Sequence, residues 1–356
     1  MTKIYTLGID HITVNTLRNA EYTAIPQSEL PDAELTKDSI LLLTSEKVSV
    51  DKLAELRETY PLIPILYWYV KKGVRGYQAV HLRCQEHGIT FIPPRTTSSG
   101  LLDFIRIIQD EDIEIHGNIL GFFGTAPGVG CTVVAKAFAK RFAAADKKVI
   151  YLSLDLYDPG HDHKPAISLD ILRPRITGKI LQSDDLEEFM KQDGYHYLPG
   201  NFDSLAAQDY QEEDIEYLLE WSAKQADIVI ADFGSIPESA AWYVGIQKSV
   251  LRYMVTHMRH DYRLTQIMDL ASQMHLEAHQ FQLIINRANI PDGVISVKQL
   301  SLAAGAEVFT EFPQYPNFPD ELQLGKREVV ALDEKINLIL VSMGLEERKK
   351  KRGLLS

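Results

Sequence analysis

The sequence predicts an α/β protein built from two doubly wound parallel-sheet domains. Three observations carry that expectation. Short apolar runs alternate with helical periodicities along most of the 356 residues, the pattern of βα units that close a parallel sheet. The acidic stretch Gln109-Asp-Glu-Asp-Ile-Glu114 interrupts the alternation and marks a boundary. Beyond it, Gly124-Thr-Ala-Pro-Gly-Val-Gly-Cys-Thr-Val133 joins an apolar run to a helix-like one, and strand, glycine loop, helix is the context of a phosphate-binding loop. The expected organisation is a first α/β domain over residues 1–112, a larger one over 116–345, and a basic tail over 346–356.

Each element follows from local pattern. Residues 4–12 start a strand, and Ser39-Ile-Leu-Leu-Leu-Thr44 reads as a buried parallel strand, being apolar almost throughout. Leu53, Leu56 and Tyr60 set a helical spacing over 50–60. Residues 64–70 are the next strand, 74–87 a helix stopped by Gly88, and 89–92 a short strand ended by Pro93-Pro94. Leu101, Leu102, Ile105 and Ile108 share one side of a helix over 99–109. In the second domain the strands are 118–123, 149–154, 227–231, 250–255, 281–286 and 307–312. Helices are expected over 134–145, 184–191, 213–224, 263–274, 296–304 and 329–343. The last carries Leu332, Ile336, Ile339 and Met343 on one face.

Composition narrows the function classes. Hydrophobic content of 45% and charged content of 24% are those of an ordinary globular protein. A formal charge of −12 argues against broad nucleic-acid binding, which needs a positive face. Two cysteines, Cys84 and Cys131, supply neither a disulfide framework nor metal-ligand spacing. The opening residues Met-Thr-Lys-Ile-Tyr show no leader pattern, and no apolar run reaches transmembrane length. The expected address is the cytoplasm, with the inner face of the membrane added if the tail touches lipid.

The chemistry concentrates in the second domain. Gly124, Gly128 and Gly130 let backbone N–H groups cradle phosphate oxygens, and Thr132 stands where a hydroxyl ligates Mg²⁺. A tight strand-to-helix turn also uses glycine, so the loop alone decides little. Tyr151-Leu-Ser-Leu-Asp155 and Asp227-Ile-Val-Ile-Ala-Asp232 each end a strand in an acid, the second as a Walker B segment does. All three segments at strand C-termini share one crevice. Leu283-Ile-Ile-Asn-Arg287 adds an Asn-Arg pair after a later strand. Cys131 occupies the position of the lysine that reaches the phosphates. It reads as a small filler of that place, or as a thiol activated by a helix N-terminus. His161-Asp-His163, after Asp158, reads as a solvated loop rather than a metal site.

Residues 118–343 resemble the MinD/ParA family of P-loop ATPases. Members carry Lys-Gly-Gly-Val-Gly-Lys-Thr-Thr where this chain has Ala126-Pro-Gly-Val-Gly-Cys-Thr-Val133. The resemblance implies a nucleotide, ATP or ADP with Mg²⁺, bound by Gly128, Val129, Gly130, Cys131, Thr132 and Val133. Asn286 and Arg287 would read the adenine, with Pro316 of the segment Phe312-Pro-Gln-Tyr-Pro316 beside it. Thr132, Asp155 and Asp232 would hold Mg²⁺, and Asp155 would position the attacking water. Three departures weaken that site. Ala126 replaces the lysine that crosses a dimer, Cys131 replaces the phosphate lysine, and Pro127 removes an N–H. A lost charge-assisted hydrogen bond costs about 1.5–3 kcal/mol, and a lost transition-state donor costs ~10²–10³ in rate. The expected nucleotide binding is weak or absent, and the expected enzyme a pseudo-ATPase.

The first domain resembles a response-regulator receiver, a flavodoxin-like fold. Its third strand ends Leu43-Thr-Ser-Glu46, without the phosphoacceptor Asp, and Phe91-Ile-Pro-Pro94 lacks the lysine expected after the fifth. Asp10 matches one early acid, and alone it holds Mg²⁺ poorly. An interaction module is the expectation; a divergent α/β domain without receiver ancestry is the alternative. A receiver-like domain before a MinD-like domain with an eroded loop resembles the CpaE/TadZ family, which implies an assembly or localisation factor for a tight-adherence (Flp) pilus or secretion machine, often a homodimer. The tail Glu346-Glu-Arg-Lys-Lys-Lys-Arg-Gly-Leu-Leu-Ser356 reads as solvated or as a peripheral lipid contact. An active dimeric ATPase and a scaffold that binds no nucleotide stand as the alternatives to the assembly factor, with a phosphorylation-controlled regulator fourth.

Overall fold

A computed structural model describes residues 2–31, 35, 39–70, 77–109, 117–156, 165–203, 205–288, 295–313, 324 and 326–345. The chain divides into two compact units, Met1–Glu114 with Gln273–His275, and Ile115–Ser272 with Leu276–Ser356.

In the first unit β1 (Lys3–Leu7) leads through α1 (His11–Asn19) to β2 (Thr23–Gln27), followed by β3 (Ser39–Thr44), α2 (Leu53–Thr59), β4 (Ile65–Trp68), α3 (Tyr77–Glu86), β5 (Thr90–Ile92) and α4 (Ser98–Ile108). The sheet is parallel in the order β2-β1-β3-β4-β5, the doubly wound order of flavodoxin-like folds. The strand expected over 4–12 stops at Leu7, because Asp10 caps α1: its carboxylate accepts from the N–H groups of Ile12 and Thr13, both at 2.9 Å. That helix and β2 are additions to the sequence expectation. β2 contains Pro26 and pairs only with β1, the edge position where a missing N–H costs no ladder bond.

The second unit runs β6 (Ile119–Gly124), α5 (Cys131–Ala144), β7 (Val149–Ser153), α6 (Leu169–Thr177), β8 (Met190–Gln192), β9 (Tyr195–Leu198), α7 (Glu212–Gln225), β10 (Ile228–Asp232), α8 (Ala240–Lys248), β11 (Leu251–Thr256), α9 (Asp261–Gln273), β12 (Phe281–Ile285), α10 (Val297–Ala304), β13 (Glu307–Glu311) and α11 (Lys326–Ser342). Its sheet order is β13-β12-β11-β6-β10-β7-β9-β8, parallel except for β8. The helix expected over 184–191 is absent. A 3-10 turn, Ser183–Glu188, is closed by a capping box between Gln182 and Asp185, and β8 then pairs antiparallel with β9. Asp193 and Gly194, at φ 48° and 90°, make the two-residue turn of that hairpin.

Both faces of the large sheet are sealed by aromatic side chains. Under α5, Phe122 meets Phe138 at 4.9 Å and Tyr253 at 5.0 Å. On the other face Phe123 stacks on Phe233 at 5.0 Å and meets Trp242 of α8 edge-on. Gly245 allows that approach, since a Cβ there would lie 2.3 Å from the Phe233 ring. Arg141 of α5 grips both carboxylate oxygens of Asp333 on α11 at 2.5 Å. The backbone closing α8 is satisfied by Arg252 of β11, 4% exposed, whose guanidinium donates to the carbonyls of Ile246 and Gln247. Burial pushes that guanidinium down to about 10.

Truncating Arg252 leaves the buried Ile246 carbonyl and the half-buried Gln247 carbonyl without their donors, at about 1–3 kcal/mol for the buried one and less for the other. Arg252→Ala is therefore expected to destabilise the chain by about 2–4 kcal/mol in urea unfolding, and Arg252→Lys to recover only part of it. A loss below about 0.5 kcal/mol, that of an ordinary surface change, would contradict the capping role.

Candidate nucleotide site

The carboxyl ends of β6, β7, β10 and β12 bring the candidate residues together. β6 is flanked by β10 and β11, so the chain turns from one side of the sheet to the other beside it, where open α/β sheets place ligands. The loop leaving β6 is tied down on both sides: Gly124 N–H donates to the Gly234 carbonyl at 2.7 Å, and Thr125 N–H to that of Val255 at 3.0 Å. Ala126, Pro127, Gly128 and Val129 then form a β-turn, closed by the Val129 N–H on the Ala126 carbonyl at 3.3 Å. Proline followed by glycine at φ 78° fits the centre of a type II turn. Two of the loop's donors are thereby withdrawn, one by the proline ring and one by the turn bond.

Gly130, at φ 88°, is the N-cap of α5. The Val134 N–H is bonded to the Gly130 carbonyl at 3.0 Å, and the four N–H groups of Gly130, Cys131, Thr132 and Val133 precede that first helical bond. They point a partial positive charge out of the helix end. Gly130 is also required by a neighbour: a Cβ would lie 2.4 Å from Nδ2 of Asn286. Asn286 is 6% exposed. Its amide donates to the Val129 carbonyl at 2.7 Å, and its oxygen accepts from Arg287 N–H at 3.0 Å. Asn286 thus braces the loop from below, a role that its spacing in sequence did not indicate. Arg287 follows at φ 56°. Pro316, Asp158, His161, Asp162 and His163 lie outside the described residues.

Asp232, the last residue of β10, is fully buried. Tyr151 O–H donates to it at 3.2 Å and Gly234 N–H at 3.1 Å, while the Thr132 hydroxyl and the Cys131 thiol lie near enough to favour its ionised form. Burial nonetheless dominates and raises its carboxyl above the ordinary value. Cys131, 7% exposed, responds in the same sense. Burial, with the neighbouring Asp232, holds its thiol well above its usual range. The structure favours the small-filler reading over the activated thiol: the side chain is buried in the core and its thiol is raised. Asp155 lies two residues past β7, half-buried, and accepts from Leu156 N–H at 2.7 Å. Its carboxylate sits against Gly234, where a Cβ would come within 2.1 Å of it.

Thr132 and Asp232 are the residues that would hold Mg²⁺, with Asp155 against Gly234. The backbone of 130–133 would meet phosphate oxygens. The helix-end N–H groups, Thr132 and the two acids fit a magnesium nucleotide, while the lysines and two donors of the 126–129 turn are missing: Ala126 packs against the apolar core and Cys131 is buried beside Asp232. Among the described residues no group of three or more His, Cys, Asp or Glu side chains could hold a metal ion on its own. Sequence reasoning missed Tyr151 and Gly234, and also a second ring around the loop base. Thr125 Oγ1 lies 3.0 Å from Nδ1 of His260 and 3.1 Å from Oγ1 of Thr256, and Arg263 Nε donates to the Thr125 carbonyl at 3.3 Å. Asp-Phe-Gly at 232–234 was a usable signal for Gly234; nothing local pointed to His260 or Arg263.

No protein-family model matches the chain. Among curated proteins, a putative tyrosine-protein kinase in the cps region of Klebsiella pneumoniae is 28% identical over 123 residues, 34% of this chain and only 17% of that protein. Two solved structures share the fold. The septum site-determining protein MinD of Pyrococcus horikoshii, complexed with Mg-ADP, matches with TM-score 0.51 at 14% identity, over 64% of this chain and 98% of its own. The cell division ATPase MinD of Pyrococcus furiosus matches with TM-score 0.51 at 16% identity, over 63% and 99%. Strand order, phosphate loop and these likenesses agree: the chain carries the fold of the MinD/ParA P-loop ATPases.

Proposed function

We propose that the chain is a non-catalytic or weakly nucleotide-binding assembly and localisation factor of the CpaE/TadZ kind, serving a tight-adherence (Flp) pilus or secretion machine. The observation that carries the pseudo-ATPase half of this reading is Cys131. In the place of the phosphate lysine stands a buried thiol beside Asp232, raised by burial above its usual range. The Pro127-Gly128 turn supports it by withdrawing two donors from the cradle. The pilus half rests on domain order. A first unit with strand order 2-1-3-4-5 supports a receiver-like module, and its Asp10 is spent capping α1 while β3 runs into Thr44-Ser45-Glu46 with no phosphoacceptor.

Partners under this reading are pilus or secretion-machine proteins and a second copy of the chain, with a lipid contact through 346–356 and no nucleic acid. Its place is the cytoplasm, at the inner face of the membrane where the tail engages lipid. An active ATPase is the second reading, favoured by the retention of Thr132, Asp155 and Asp232 at one sheet end. A scaffold without nucleotide is the third, favoured by the burial of Asp232 and its two internal donors, Tyr151 and Gly234.

Calorimetry with Mg-ATP, paired with phosphate release on the same sample, separates the three. Weak binding without turnover is expected. Steady turnover abolished by Asp155→Ala would establish the ATPase instead, and no binding at millimolar nucleotide the scaffold. Cys131→Lys should tighten ATP binding about 10- to 100-fold, the worth of one charge-assisted hydrogen bond.

Thiol chemistry checks the direction of Cys131. Native protein at alkaline pH should resist iodoacetamide at both cysteines, Cys131 being held well above its usual range and Cys84 pushed up to about 12 by burial. Both should react after denaturation. Rapid native labelling of Cys131 would remove the buried thiol.

Asp232 sets a pH dependence. Its carboxyl is raised, and protons compete with a metal for an ionised carboxylate. The Mg²⁺-dependent share of ATP binding should therefore fall on acidification, starting above the ordinary Asp value of about 4. Titrations with and without Mg²⁺ that run parallel would contradict this.

A further inference from the structure

A cavity of about 360 Å³ lies along the flank of α5, within the roughly 300–1,000 Å³ that small-molecule sites span. Half-buried Val133 and Ala137 of α5 and Val329 of α11 line it with apolar surface, and buried Tyr195 of β9 adds a ring. Three cations of α5, Lys136, Lys140 and Arg141, also line it.

Two of those cations are compensated. Lys140 pairs with Asp193 of the β8–β9 turn at 3.3 Å, and Arg141 is held by Asp333 at 2.5 Å. Lys136 differs. It is half-buried and has no hydrogen bond or ion pair among the described residues. Its ammonium lies over aromatic rings instead, 5.1 Å from the centroid of Tyr197 and 6.0 Å from that of Tyr151. A ring face returns part of the hydration such a cation gives up, and an anion hydrogen-bonded to it returns more. The cavity wall thus combines apolar and aromatic surface with three cations and one carboxylate, Asp193, and Lys136 is the cation that neither Asp193 nor Asp333 pairs.

We propose that this cavity is a second ligand site, for a small planar monoanion. Its rings lie against Tyr195, Val133, Ala137 and Val329, and its anionic group meets Lys136. The site is separate from the phosphate cradle and stands whether or not nucleotide binds there, although both are built on α5.

Two fluorescent probes with related rings test it on the full chain: 8-anilinonaphthalene-1-sulfonate, a monoanion, and N-phenyl-1-naphthylamine, which lacks the sulfonate. Wild type should bind one equivalent of the sulfonate. Lys136→Gln should weaken it about tenfold or more, the worth of a charge-assisted hydrogen bond, while leaving the neutral probe unchanged; Lys136→Arg should restore it. Ala137→Trp, which fills the cavity, should lose both probes. Equal sulfonate affinity in wild type and Lys136→Gln overturns the proposal. So does the absence of saturable sulfonate binding by wild type, or undiminished binding of both probes by a folded Ala137→Trp chain.

Discussion

A single buried carboxylate organises the phosphate-loop end of the second unit. Asp232 has no exposure to solvent, and ionising it there is costly unless its lone pairs are occupied. Two donors reach them, Tyr151 of β7 and Gly234 of its own turn, and Cys131 and Thr132 of α5 lie close enough to favour the ionised form. This one group therefore joins the strand that carries the first acid, the strand that carries the second, and the helix that follows the glycine loop. Gly234 extends the network. Its N–H serves Asp232, its carbonyl takes the Gly124 N–H, and its lack of a side chain makes room for Asp155. A lysine at 131 would put a charge where a thiol now lies beside Asp232.

The remaining loop contacts show the same inward economy. Asn286 turns its amide onto the Val129 carbonyl, Arg263 reaches the Thr125 carbonyl and His260 its hydroxyl. Anchors on β11, α9 and β12 thus fix a loop that lacks lysines of its own. The apolar layers beneath it, Phe122 with Phe138 and Phe123 with Phe233, hold β6 so that the loop leaves the sheet at a defined point.

Much of this arrangement was legible in the residue pattern, and the failures have physical causes. Strands such as β6, β7 and β10 are buried on both faces and read as unbroken apolar runs, so their acids at 155 and 232 stood out. α8 was invisible for a related reason: Ala240 through Ile246 are buried throughout, and a helix covered on every side has no polar stripe to set its period. The Asp193-Gly194 turn was a direct hairpin signal, masked by a helical reading of the acidic residues before it, which in fact close a 3-10 turn. The direction of Cys131 could not be read at all. A position at a helix N-terminus suggests an activated thiol, and only the packing shows that burial, with the acid Asp232 beside it, raises the thiol instead.

The Pro127-Gly128 turn bears on what kind of device this domain is. A ligand shifts an equilibrium only through unequal affinity for two states. A loop already closed by its own hydrogen bond, with a proline fixing one torsion and an asparagine holding it from below, has little freedom left for a phosphate to order. Its shape is a property of the chain and not of the occupant. Such a loop has the character of a fixed part and not of a switch, and a ligand that meets it gains little by ordering it.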